Sequence, residues 1–182
     1  MMMFRTSALV SSLFFTMGNP AFSQASEDVV LLARSFIGHC VQNVGRVDKV
    51  ASAARSFGWN ELEGDMKDML APQNPNVDYS GWMVADEGQI PFLLGTSSAV
   101  LDGVDYSICV VANPDAPVDD VLSEIRKLMT FGQQIDNVEE AGQRYRVWST
   151  NALAKNSFVS AIDAPKMGIF GGTISLSAPT EK

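Results

Sequence analysis

The chain has 182 residues, with 13 Lys and Arg against 21 Asp and Glu, a formal net charge of −8 and a single histidine. That length suits one domain with a sizeable core. The acid excess and the lack of any basic run exclude phosphate-backbone recognition, because nucleic acid affinity needs clustered cations.

The chain opens MMMFRTSALVSSLFFTMGNPAFSQASEDVV. Arg5 is the only charge before Glu27, an apolar run follows from Ala8 to Met17, and Gly18-Asn19-Pro20 precedes the small-residue stretch Ala21 to Ala25. A positive start, a short apolar core and small residues at a cut site predict a secretory signal peptide over residues 1–23. The apolar run is too short to span a bilayer. Cleavage after Ser23 or after Ala25 leaves small residues at the critical positions. No cysteine lies near the cut, so no lipid anchor is expected. Residues 24–182 then form a single domain, expected in a periplasm or secreted. Removing Arg5 with the leader leaves 12 bases against 21 acids, a net of −9.

In the mature chain, Ser26 is placed to cap a helix with Glu27 and Asp28 in its first turn. Val30, Ala33, Phe36, Ile37, Cys40, Val41 and Val44 recur at helical spacing, and Gly45 ends the run. A second helix is expected over Val47–Phe57, with Val47, Val50, Ala51, Ala54 and Phe57 on one face and Gly58 as its stop. Asn60 with Glu63 resembles a capping box for a short third helix carrying Leu62, Met66, Met69 and Leu70, closed by Pro72. Pro72–Asn76 reads as a loop. Strands are then expected at Trp82–Ala85 and Ile90–Gly95. Asp102-Gly103 is a hairpin signal leading into the strand Val104–Val111. Pro114 and Pro117 start another helix, with Val118, Val121, Leu122, Ile125, Leu128 and Met129 as its apolar set and Gly132 as its end. Strands follow near Ile135–Glu139, Gln143–Thr150, Phe158–Ile162 and Ile169–Leu176. N-terminal helices followed by a mostly antiparallel sheet, with one helix inserted between strands, make the class α+β.

The stretch Gly38-His39-Cys40-Val41-Gln42 sets the lone histidine beside one of the two cysteines. Three readings arise: a nucleophile with its base, part of a metal site, or half of a disulfide. Helix neighbours point about 100° apart, so His39 and Cys40 do not face each other. Zinc needs more ligands than one histidine and two distant cysteines. An exported chain meets an oxidising compartment, where an even cysteine count reads as bridges. A Cys40–Cys109 disulfide is therefore expected. It would tie the first helix to the strand holding Cys109, and calls for a sheet covered at least partly on both faces.

Other motifs are weaker. Gly95-Thr96-Ser97-Ser98-Ala99 is a near miss to a nucleophile elbow, with Ala99 where a second glycine belongs and no helix following. Asn74–Asp78 alternates oxygen ligands like a calcium loop, but Gly81 comes late and Ala85 stands where a glutamate is needed. Gly168–Gly172 lacks the Lys-Ser/Thr of a phosphate loop and reads as a bend. The acid pairs Asp119-Asp120 and Glu139-Glu140 read as solvated surface. No metal-ligand set and no cofactor fingerprint is present. Arg144, Arg146 and Trp148 share one strand face. They are either a site for an anionic or sugar-like ligand or the charged face of an edge strand, with Trp148 at the core rim.

A cysteine on the first helix, an Ala-rich helix ending Phe57-Gly58-Trp59, Trp82 after Gly81, and Gly103 leading into a strand that ends Cys109-Val110 together resemble a family of small exported alphaproteobacterial proteins of unknown function, some lipid-anchored. The resemblance covers roughly residues 36–111. It implies an envelope location and supports the half-cystine reading, and it implies no activity. The expectation is a non-catalytic exported binding or interaction protein acting on a cationic envelope protein, since an acidic surface favours basic partners. The alternative is an envelope hydrolase using His39 with a serine such as Ser97.

Overall fold

A computed structural model of the chain describes residues 26–64, 66–67, 77–85, 91–151 and 153–181. The first helix, α1 (Glu27–Ser35), begins where the Ser26 hydroxyl accepts a hydrogen bond from the Val29 N–H at 3.4 Å. Glu27 and Asp28 then sit at the positive end of its dipole. The helix does not run on in α form to Gly45. Phe36–Val41 winds as a π-helix, and the Gln42 N–H bonds to the Ile37 carbonyl at 3.0 Å. The inward stripe is Val29, Leu32, Ala33, Phe36 and Cys40. Val30, Ile37, Val41 and Val44, expected on it, are half-buried.

Helix α2 (Val47–Phe57) has the expected bounds and buries Val50 and Ala54. Phe57, expected on its packed face, is 67% exposed. Asn60 caps no helix. Asn60–Glu61 is a short strand, β1, with Asn60 opposite Met83. The backbone hydrogen bonds of a neighbouring strand outcompete the local cap. Of the expected third helix, Gly64, Met66 and Lys67 are described and helical. Met69, Leu70, Pro72 and the calcium-like residues 74–76 lie outside the described residues.

The remaining strands are β2 (Tyr79–Val84), β3 (Phe92–Leu101), β4 (Val104–Asn113), β5 (Gln134–Glu140), β6 (Gln143–Ser149), β7 (Phe158–Ala164) and β8 (Ile169–Pro179). They form one antiparallel sheet in the order β1-β2-β3-β4-β8-β7-β6-β5. The turn between β3 and β4 has Asp102 at φ 50° and Gly103 at φ 76°. This is the left-handed pair that a tight hairpin turn requires. Helix α3 (Val118–Leu128) is inserted between β4 and β5 and buries Val118, Val121, Leu122 and Ile125. Leu128, expected on that stripe, is exposed. Gly171 answers to crowding: a Cβ there would stand 2.0 Å from the Pro114 carbonyl oxygen. The class is α+β, as the patterning implies.

Strand register defines the core. Thr96, Cys109, Leu176, Val159 and Trp148 stand opposite one another across five strands, and Leu94, Val111, Ile174, Ala161 and Arg146 form the next row. Helices α1 and α3 pack against each other, and the side chains of this face meet them in one buried cluster. The other face carries Tyr79, Ser97, Ile108, Ser177 and Phe158 in one row. It is sheltered by its own aromatics. Tyr106 stacks on Phe158 at 6.2 Å, and the Tyr79 ring lies over Gly95 so closely that a Cβ on Gly95 would sit 2.9 Å from it. Helices therefore cover one face, and side chains partly cover the other.

Candidate functional site

The cysteines are joined. Cys40 and Cys109 form a disulfide with Cα atoms 5.3 Å apart, closing a sequence separation of 69 residues. Both are buried, and the bridge ties the π-helical segment to β4. Neither sulfur remains as a thiol.

His39 points away from its neighbour. Its ring meets the Trp59 ring edge-on at 5.0 Å, with planes at 89°. Phe57 in turn stacks on Trp59 at 5.2 Å. These rings, with Gly58, Asn60, Met83 and Ala85, line an open cleft of about 480 Å³. Burial holds the imidazole below its ordinary pKa, because desolvation penalises the cation. Among the described residues lining this cleft there is no serine, cysteine or carboxylate. The neutral ring can accept or donate a hydrogen bond there, but it has no nucleophile beside it.

Ser97 stands in the middle of β3, opposite Tyr79 on one side and Ile108 on the other. Side chains alternate along a strand, so Ser97 faces away from Cys109 and the helices. His39 lies on the helical side, on the segment bonded to Cys109. The sheet separates the pair. The near-elbow Gly95–Ala99 is straight strand, with no strand-to-helix turn to present a nucleophile.

Arg144, Arg146 and Trp148 do share a face, and that face is the inward one. Strand β6 is not at the edge: it pairs with β5 on one side and β7 on the other. Both guanidiniums are engaged by carboxylates. Arg144 donates to both oxygens of Asp163, with Nε to Oδ1 at 2.9 Å, and to Asp119 at 2.9 Å. Arg146 donates to Asp119 and, at 3.2 Å, to Asp163. The Asp163 side chain is 2% exposed. Burial by itself would raise the Asp119 pKa, but hydrogen bonds from Arg146 and Arg144 hold it below the usual carboxylate range. The bond to Asp163 in turn raises Arg144. This is a charge cluster joining α3, β6 and β7, buried at Asp163 and Arg146 and open at Asp119. Arg144 Nε and Nη2 and Arg146 Nη1 and Nη2 are thus already in use by carboxylates, while Arg146 Nε is buried with no partner among the described residues. Asp119 is exposed like Asp120, Glu139 and Glu140, but it is tied to both guanidiniums.

Sequence reasoning passed over Asp163, although a signal was present. Val159, Ala161 and Asp163 alternate on one strand face, and a carboxylate continuing an apolar row needs a buried cation.

A second cleft, of about 430 Å³, opens where α3 ends and β5 begins, lined by Arg126, Met129, Thr130, Phe131, Gly132, Gln134 and Trp148. The Arg126 guanidinium lies over the Phe131 ring at 5.0 Å and the Trp148 ring at 5.2 Å. The ion pairs found among the described residues do not include it. Also among the described residues, no three His, Cys, Asp or Glu side chains gather as a metal would require.

Compared with protein-family models, with curated proteins and with solved structures, the chain matches none.

Proposed function

We propose that this is a non-catalytic binding or interaction protein, exported behind the leader at residues 1–23 to a periplasm or beyond the cell, with a cationic envelope protein as its partner. The disulfide fits an oxidising compartment. No helix among the described residues is long and apolar enough to cross a membrane. The resemblance of residues 36–111 to small exported proteins implies the same location.

The observation that carries the reading is the acidic edge strand β5. It is exposed along its whole length and presents Asp136, Glu139 and Glu140, with Lys166 paired to Glu139. Arg144 and Arg146 turn inward, where Asp119 and Asp163 balance them, and so do not offset these acids. A field of one sign steers oppositely charged partners. The hydrolase reading loses support, because Ser97 and His39 occupy opposite sides of the sheet.

The test is retention of the mature protein on surfaces bearing lysine-rich or glutamate-rich peptides, at low and high salt. Retention on lysine that fades with salt is expected. Equal behaviour on the two surfaces, or no retention on lysine at low salt, removes the reading.

A further inference from the structure

Strand β5 is an open edge. Among the described residues it pairs with β6 alone, all seven of its residues are exposed, and the opposite edge of the sheet, β1, has only two residues. An edge strand turns alternate N–H and C=O groups outward, ready to pair with another chain. The Asn137 N–H shows which way: it bonds to the Asp136 carboxylate at 2.8 Å. Proteins blunt such edges with proline, bulges and charge. Here there is no proline. A register shift between Gln134 and Asp136 leaves Ile135 unpaired and 53% exposed. Asp136 and Glu140 would repel a second copy of this acidic strand, while Glu139 is paired with Lys166. A strand carrying lysine or arginine meets the opposite situation, because opposite charges across neighbouring strands attract.

The Arg126 cleft lies at the N-terminal end of this edge, since Gln134 belongs to both. Its guanidinium carbon lies within 5.2 Å of two ring centroids, and contact with both rings restricts the side chain, so less freedom is lost on binding. A planar fork of N–H groups suits a carboxylate. A strand added antiparallel to β5, like every other pair in the sheet, brings its carboxy end to that cleft.

We propose that β5 and the Arg126 cleft together receive the carboxy-terminal segment of a basic protein, added as a ninth, antiparallel strand with its terminal carboxylate on Arg126. The proposal rests on the cationic-partner reading and assigns it a surface. Main-chain hydrogen bonds to β5 supply the pairing, the carboxylate fixes the register, and basic side chains face Asp136 and Glu140.

The probe is a fluorescent peptide of alternating lysine and threonine, made with a free carboxy terminus and as its amide. The free acid is expected to bind the mature protein about tenfold more tightly than the amide, as loss of a charge-assisted bidentate contact implies. Arg126→Gln is expected to erase that difference. Asn137→Pro, which removes an outward N–H, is expected to weaken both peptides. If that variant melts early, methylating alternate peptide nitrogens blocks strand addition with the protein intact. Acid and amide binding alike, or N-methylated peptide binding as well as unmodified, overturns the proposal. If the peptides still bind at low salt but ignore Arg126 and Asn137, this surface falls and the cationic-partner reading stands. If neither peptide is retained at low salt, both fall.

Discussion

Asp163 on β7 stands directly opposite Arg144 on β6 and takes two of its guanidinium N–H groups, while Arg146 reaches the same carboxylate from the next inward position. Two acids, Asp163 on an apolar face and Asp119 from α3, thus balance two bases. Removing one partner of a buried pair leaves an uncompensated charge. Asp163→Ala is expected to destabilise the fold by about 3–5 kcal/mol. Asp119 is 60% exposed, so its loss should weigh far less, about 1 kcal/mol or below. Urea unfolding of the two variants checks the order. Equal losses would show that burial does not set the strength of this cluster.

The disulfide makes a second quantitative claim. Closing 69 residues of sequence restricts the unfolded chain, and the chain-entropy treatment gives about 4 kcal/mol. The double variant Cys40→Ala, Cys109→Ala should lose stability of that order in urea. Both sulfurs are buried, so mild reductant should leave the native bridge intact until the protein is unfolded. Rapid reduction of the folded protein would contradict that burial.

His39 predicts a pH dependence with a definite sign. Its folded pKa lies below the ordinary 6.5 because burial disfavours the cation. Between those two values the unfolded chain binds more protons than the native one, so unfolding gains as pH falls. The contribution is therefore full above about pH 6.5 and is lost as pH drops through the folded pKa. The thermal midpoint should fall between neutral and mildly acid pH, and His39→Gln should flatten that part of the curve. An unchanged curve in the variant would place the sensitivity elsewhere.

Tyr79 offers a test of close packing. Its hydroxyl is buried without a hydrogen-bond partner among the described residues, and burial pushes its pKa up to about 12. Tyr79→Phe removes that unsatisfied group and should be neutral or stabilising. Gly95→Ala would place a methyl 2.7 Å from the hydroxyl and 2.9 Å from the Val110 side chain. Such overpacking should destabilise by about 1–3 kcal/mol. Thermal melts of the two variants should therefore move apart. A clear drop for Tyr79→Phe would mean that the hydroxyl has a partner after all.

Local rules in the sequence carried much of this structure. Ser26 and the acids after it start α1, Asp102-Gly103 makes the β3–β4 turn, and alternation placed Cys109 with Val111 and Arg144 with Arg146 and Trp148. Each depends on residues within one turn or a few strand positions. The failures have a common cause. Asn60 looked like a cap because its competing partner, Met83, is far along the chain. Arg144 and Arg146 looked free because Asp119 and Asp163 come from other elements.

By itself, the sequence determined most of the element types, the α+β class and the pairing of the only two cysteines, because propensity, periodicity and a count of two leave little choice. The tertiary structure alone decided which strand lies at the edge and which face of β6 turns inward. It also decided that Ser97 and His39 stand on opposite sides of the sheet. Alternation gives each strand two faces without saying which is buried, and that depends on contacts between distant segments, as where the last strand, β8, lies between β4 and β7.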